Sequence, residues 1–245
     1  MVAPILSVRS VAKHFGGLRA VDDVSFDVLP QQIFGIAGPN GSGKSTLFNV
    51  MTKVPFGPTR GEVLLNGRPI QGLSPHRIAL AGIARSFQRE NVFASLSAID
   101  NVLVAVESLV PTAPFAEQLE RAEEALALVG FPATMQNSPA GSVPIFYRKQ
   151  LMIASALALQ PKVLLLDEPA SSLTGPEIER MKQIILRVRD NGMTVVLIEH
   201  VLALLMEVSD QLLILDQGRV IANGDPVTVT RDPTVIEAYL GVAHE

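Results

Sequence analysis

The stretch 33-IFGIAGPNGSGKST-46 decides how the rest of the chain is read. Ile33 to Ala37 run without polar alternation, which suits a strand buried on both faces of a sheet. Gly38 to Ser45 then match G-x-x-x-x-G-K-[ST], and 44-KSTLFNVMT-52 continues with helical spacing. Strand, glycine-rich turn and helix in this order make an anion cradle. Gly38, Gly41 and Gly43 let the backbone curl after Pro39, so that N–H groups of Asn40 and Ser42 in the turn and of the helix start at Thr46 converge on one anion. The helix N-terminus adds partial positive charge. Lys44 is placed to reach the β- and γ-phosphates of a nucleotide, and the Ser45 hydroxyl to join the shell of a Mg²⁺ ion. A chance match in a glycine-rich turn is the alternative, and the strand–turn–helix context speaks against it.

A second apolar run, 163-VLLLDEP-169, delivers Asp167 and Glu168 at its carboxyl end, where ligands bind in open parallel sheets. Asp167 suits Mg²⁺, held through water because the ion keeps part of its hydration shell. Glu168 suits the orientation or deprotonation of an attacking water. Read alone, the pair is equally an acidic strand end on the surface. His200 closes the run 194-TVVLIEH-200 and can reach a terminal phosphate and the attacking water, or serve only as a structural histidine. Gln88, in 82-GIARSFQRENVF-93, offers an amide oxygen that can complete the Mg²⁺ shell. Phe15 offers a ring for stacking adenine, or for the core.

Further out, the runs 33–37, 163–168, 194–200 and 211-QLLILD-216 alternate with helical patterns such as 176-PEIERMKQIILRVRDNG-192. That helix has Pro176 in its first turn and stops at Asn191–Gly192. The repetition predicts an α/β fold with a mainly parallel core sheet. Residues 5–15, 21–30 and 61–70 read as additional strands, and 99–110, 117–130 and 148–159 as helices of an insertion between core strands. The 245 residues suffice for one large domain or a body with an inserted subdomain. A net charge of −4 argues against nucleic-acid binding through a broad basic face. The absence of cysteine excludes disulfides, zinc–thiolate sites and thiol nucleophiles. Mean hydropathy of +0.32 is high, fitting either a large core or a surface meant for a partner. The segment 194–216 is interrupted by Glu199, His200, Glu207, Ser209 and Asp210, so no membrane span is expected there, and 1-MVAPILSVRSVAKHFGG-17 lacks the pattern of a signal peptide.

Taken together, the phosphate turn, Gln88, 163-VLLLDEP-169 and His200, in this order, resemble the nucleotide-binding domain of ABC transporters over nearly the whole chain. The stretches 14-HFGGLRAVDDVSF-26, 73-LSPHRIALAGIARSFQ-88, 198-IEH-200 and 236-IEAYLG-241 look like the ATP-binding subunits of branched-chain amino-acid importers, with the urea-importer ATPases as close cousins. The resemblance implies a P-loop NTPase fold in one unit over 1–245. Its core and antiparallel β subdomain would span 1–88 and 161–225, its helical subdomain 89–160 and its helical tail 226–245. It makes His200 the switch histidine, Gln88 the glutamine of the Mg²⁺ shell and Phe15 the adenine-stacking aromatic. It implies ATP and Mg²⁺ as cofactors and a head-to-tail pair of ATPase subunits. Integral membrane permease subunits, a periplasmic solute-binding protein and a place on the cytoplasmic face of the inner membrane follow from the same likeness.

One motif departs from the family. Alignment through 150-QLMIASAL-157 places Val143, Pro144, Ile145, Phe146 and Tyr147 on the five-residue signature that contacts the partner's ATP. Pro144 has neither hydroxyl nor N–H to offer, Phe146 would crowd a close approach to phosphate, and Tyr147 replaces glutamine. Thr174, in 169-PASSLTGPE-177, stands where relatives usually carry Asp or Asn. The stretch is a helix start selected for packing, or Tyr147, Arg148 or Lys149 restores a phosphate contact. The damage falls on the site built on the partner's phosphate turn, so a heterodimer with an intact partner is favoured over a homodimer. A soluble ABC ATPase uncoupled from transport and a non-catalytic nucleotide-binding subunit are the competing readings.

Overall fold

The computed structural model describes residues 2–87 and 91–240. Gln88 and the final glycine of 236-IEAYLG-241 lie outside the described residues. The chain opens with β1 (Leu6–Phe15), β2 (Leu18–Val28), β3 (Ile33–Ala37), α1 (Lys44–Thr52), β4 (Arg60–Leu65), β5 (Arg68–Pro69), α2 (Pro75–Ala81) and β6 (Ile83–Ser86). Three helices follow, α3 (Ala98–Leu109), α4 (Phe115–Leu128) and α5 (Ile145–Leu157). The core resumes with β7 (Val163–Asp167), α6 (Gly175–Asp190), β8 (Thr194–Ile198), α7 (Leu202–Val208), β9 (Gln211–Asp216) and β10 (Arg219–Gly224), and α8 (Pro226–Thr230) and α9 (Pro233–Leu240) close the described chain.

The two sheets follow from two kinds of sequence. Strands β3, β7, β8 and β9 are apolar runs and form the centre of a sheet in the order β10-β9-β3-β8-β7-β6. All neighbours in it are parallel except β10 on β9. Alternate residues serve opposite faces, as the period of two requires. Leu164, Leu166, Val195 and Leu197 join the core shared with α3 to α7. Val163, Leu165, Val196 and Ile198 join the core shared with α1, α2 and the second sheet. That second sheet is antiparallel, in the order β2-β1-β4-β5. The parallel strands thus all end on one edge, where Ala37, Asp167 and Ile198 hand the chain to the loops of the site.

Between β6 and β7, helices α3, α4 and α5 pack on one another as the inserted unit. Regular helical spacing is read from Arg148, and α5 adds one turn before it, beginning at Ile145 with Pro144 as its cap, in keeping with the reading of 143–147 as a helix start selected for packing. The extra turn forms because Phe146 is 1% exposed and belongs to the main core, so its burial pulls the helix start inward. Thr174 caps α6, its N–H donating to the Glu177 carboxylate at 2.8 Å in a capping box. Among the described residues no helix is long and apolar enough to cross a membrane.

Replacing Phe146 by Ala should destabilise the chain by about 3–5 kcal/mol, because a buried ring leaves a cavity that its neighbours refill only in part. Denaturant unfolding checks this, and an unchanged midpoint would remove Phe146 from the core.

Candidate active site

The turn between β3 and α1 is fixed by lack of room. At Gly38 (φ +149°) an added Cβ would stand 2.0 Å from the Leu215 carbonyl oxygen, and at Gly43 (φ +107°) 2.4 Å from that of Ala20. Glycine alone fits these backbone angles and approaches. Hydrogen bonds clamp the turn from outside. The Gly218 N–H donates to the Ser42 carbonyl at 2.9 Å, and the Asp22 N–H to the Gly218 carbonyl at 2.8 Å. Lys44 curls its ammonium into the turn, donating to the carbonyls of Gly38 (2.8 Å) and Pro39 (3.0 Å). Burial lowers its pKa, and the negative charges of Glu168 and Asp167 oppose that shift.

One cavity of about 1020 Å³ opens over this turn. Asn40, Gly41, Ser42, Gly43, Lys44, Ser45 and Thr46 form its floor, Glu168 and His200 one wall, and Phe15, Leu18 and Arg19 another. The structure therefore brings together residues separated by more than a hundred positions in sequence. His200 Nε2 lies 2.6 Å from Glu168 Oε1, within hydrogen-bonding distance, so the carboxylate orients the imidazole. Glu168 has a left-handed backbone (φ +51°), an unusual setting for a side chain of this size. Phe15 is 44% exposed, with Phe56 edge-on at 5.0 Å and the Lys13 ammonium 5.1 Å from its ring centre. A ring so supported can stack a flat heterocycle.

Asp167 sits deeper than its neighbour and is absent from the cavity lining. Its Oδ2 pairs with Arg85 Nη2 at 2.6 Å, with both side chains buried, and Arg85 Nη1 donates to Asn49 Oδ1 at 2.8 Å. Burial raises the Asp167 pKa and Arg85 counters it. Asp167 Oδ1 is buried without a hydrogen-bond partner, an oxygen with capacity left for a hard cation or its water. A site for Mg²⁺ among Asp167 and Ser45 therefore fits the donor set present. Gln88, the third expected ligand, is outside the described residues.

The segment aligned with the signature turns inward. Phe146 and Tyr147 meet edge-on at 5.5 Å, and the Arg180 guanidinium lies 4.2 Å from the Phe146 ring centre. Arg148 Nη1 donates to the Val143 carbonyl at 2.7 Å, and Lys149 Nζ to Ser171 Oγ at 2.9 Å. Val143 is buried and Ile145 half-buried, while Pro144 is exposed.

Sequence reasoning passed over Arg85, Lys149 as a buried cation, and Glu199. Glu199 is 1% exposed and accepts from the N–H groups of Ala170 (2.6 Å) and His200 (3.2 Å). Burial raises its carboxyl to a pKa of about 7, against the pull of these N–H donors. A signal was available, since a lone acid inside the apolar run 194-TVVLIEH-200 needs buried partners.

Comparison with known proteins agrees with this geometry. The family model described as ABC transporter matches residues 21–171, and one described as branched-chain amino acid ATP-binding cassette transporter matches residues 219–245. The high-affinity branched-chain amino acid transport ATP-binding protein LivG of Escherichia coli (strain K12) is 36% identical, covering 99% of this chain and 100% of LivG. The corresponding protein BraF of Pseudomonas aeruginosa is 37% identical with the same coverage. An ATP-binding cassette of an ABC transporter, solved in its ADP conformation, superposes with a TM-score of 0.85 at 27% identity, over 98% of this chain and 100% of its own.

Two outcomes follow from the geometry. Lys44→Ala should weaken binding of a fluorescent ATP analogue by roughly 10–100-fold, the worth of charged hydrogen bonds to phosphate. Unchanged affinity would remove Lys44 from the ligand. The raised Glu199 pKa means that wild-type stability declines as pH rises from the ordinary glutamate range through about 7, because the unfolded chain loses that proton first. Glu199→Gln lacks this loss. Its stability relative to wild type should therefore improve between pH 4.5 and 7, by on the order of 3 kcal/mol, in denaturant titrations across that range. A pH-independent difference would contradict the assignment.

Proposed function

The chain belongs to the ABC transporter family, and from that premise we propose that it is the ATP-hydrolysing subunit of an importer for branched-chain amino acids or a related small solute. The observation that carries hydrolysis is the shared cavity, which sets the paired Glu168 and His200 beside the turn that holds Lys44. Likeness to LivG and BraF over full length, and the match at residues 219–245, support the solute class.

In this reading the N–H groups of the turn from Gly38 to Thr46, with Lys44, bind the phosphates, and Phe15 stacks the adenine. Glu168 accepts the proton of the attacking water, and His200, held on Glu168, faces the terminal phosphate. Ser45, Asp167 and Gln88 would hold Mg²⁺, which neutralises charge on the β- and γ-phosphates when bound. We read residues 1–88 and 161–225 as the core and β subdomain, 89–160 as the helical subdomain and 226–245 as the tail. Integral membrane permease subunits take up the work, with the chain on the cytoplasmic face of the inner membrane and a periplasmic solute-binding protein supplying the solute.

We further propose that the second ATPase subunit is a different chain. Phe146 and Tyr147 pack inward, Arg148 bonds Val143, and Lys149 reaches Ser171. The exposed face of this turn is left to Pro144, which donates nothing to a partner's phosphate. The competent site of such a pair uses this chain's Lys44 and Glu168 with the partner's signature.

In the complex purified with its permease subunits, Glu168→Gln should lower ATP turnover by roughly 10²–10⁴-fold while leaving nucleotide binding near wild type. Turnover that survives this change would overturn the assignment of Glu168. Native mass spectrometry of the same complex should find two distinct ATPase chains, and two copies of this chain with full activity would refute the heterodimer.

A further inference from the structure

Glu168 stands on a left-handed backbone that its own side chain disfavours, so something must hold it there. Its N–H donates to the Ile198 carbonyl at 2.9 Å, and its carbonyl accepts from the Ser171 N–H at 3.1 Å. Two buried ionisable side chains, from two different elements, act on the same turn. From α5, the Lys149 ammonium donates to the Glu168 carbonyl at 3.3 Å and to Ser171 Oγ at 2.9 Å. From the end of β8, the Glu199 carboxylate takes the Ala170 N–H at 2.6 Å with one oxygen and the His200 N–H at 3.2 Å with the other.

We infer that Lys149 and Glu199 are positioning residues that grip the turn 168–171 from two different elements and set the direction of the Glu168 carboxylate. The inference rests on the reading of Glu168 as the group that accepts the proton of water. Its physical basis is the expense of the arrangement. A buried ammonium and a buried carboxylate are each costly, and apolar side chains of similar size would pack at least as stably. Apolar side chains would, however, leave the Glu168 carbonyl without its cation and the Ala170 N–H without an acceptor. What the charged pair adds is direction. It ties the turn bearing Glu168 to α5 and to the strand end bearing His200. Because His200 Nε2 meets Glu168 Oε1 at 2.6 Å, Glu199 fixes the backbone of one member of that pair and the turn of the other. Lys149 lies on the helix whose start the sequence aligns with the family's signature, so a displacement of α5 reaches Glu168 through one side chain.

The test uses the assembled complex carrying Lys149→Met, Lys149→Arg, Glu199→Gln or Glu168→Gln. ATP turnover, KM, affinity for a fluorescent ATP analogue and thermal midpoint are measured for each. Lys149→Met and Glu199→Gln should lower kcat by about tenfold or more, since small misplacements of a reacting group have effects of this size. KM and analogue affinity should stay within about twofold, and Lys149→Arg should recover much of the lost kcat. Full kcat in Lys149→Met and Glu199→Gln, alongside an inactive Glu168→Gln, would overturn the inference alone. So would a loss of kcat matched by equal losses of nucleotide binding and thermal midpoint in both variants and not recovered by Lys149→Arg, which is a purely structural role. An active Glu168→Gln would overturn the functional reading of Glu168, and the inference with it.

Discussion

At the turn after β3 the backbone of Gly38 lies so close to the Leu215 carbonyl that a methyl group cannot be inserted. This contact locks the phosphate turn to β9, and Gly43 against Ala20 locks it to β2. The Gly218 N–H on Ser42 and the Asp22 N–H on Gly218 complete the clamp. Three segments far apart in sequence therefore meet at one turn through backbone atoms, which side-chain variation cannot easily loosen. The cavity floor is rigid because its shape is set by main-chain packing, with Lys44 filling the curl from inside. Everything else at the site is arranged around a fixed anion cradle.

The edge of the parallel sheet also concentrates buried charge. Arg85 with Asp167, and Glu199 beside His200, lie at strand ends, and Lys149 reaches the turn after β7 from helix α5. Buried ions contribute little to stability on balance, because desolvation offsets their attraction. Their partners here are backbone groups of turns or the acid expected to face a metal, so the return is geometric. The left-handed Glu168 is the clearest case of local strain held by surrounding hydrogen bonds.

The start of α5, which the sequence aligns with the family's signature, is consistent with the same logic read in the other direction. Where a phosphate-binding turn needs small residues and open N–H groups, α5 is capped by Pro144 and buries Phe146. The first turn of the helix has been given to the core. Arg180 stacked on Phe146 and the edge-on contact with Tyr147 reinforce that choice. The helix still meets the catalytic side of its own chain through Lys149.

Much of this was legible in the linear chain. The phosphate turn could be read because the anion cradle needs consecutive residues, and its strand and helix carry their own periodicities. The apolar runs 163–167 and 194–198 read as buried strands for the same local reason, and Glu168 and His200 fell at their ends. Sequence by itself determined the fold class and singled out Lys44, Glu168 and His200, which line the cavity, but it did not single out Leu18, Arg19 or Arg219, which line it too. Only the tertiary structure decided that Asp167 leans on Arg85, that Lys149 and Glu199 converge on one turn, and that Phe146 belongs to the core. Those contacts join α5, β6, β7 and β8, and nothing in the spacing of one segment records which buried polar group of another will satisfy it. Local pattern fixes which face of an element is apolar, whereas the pairing of buried charges is settled when the elements pack.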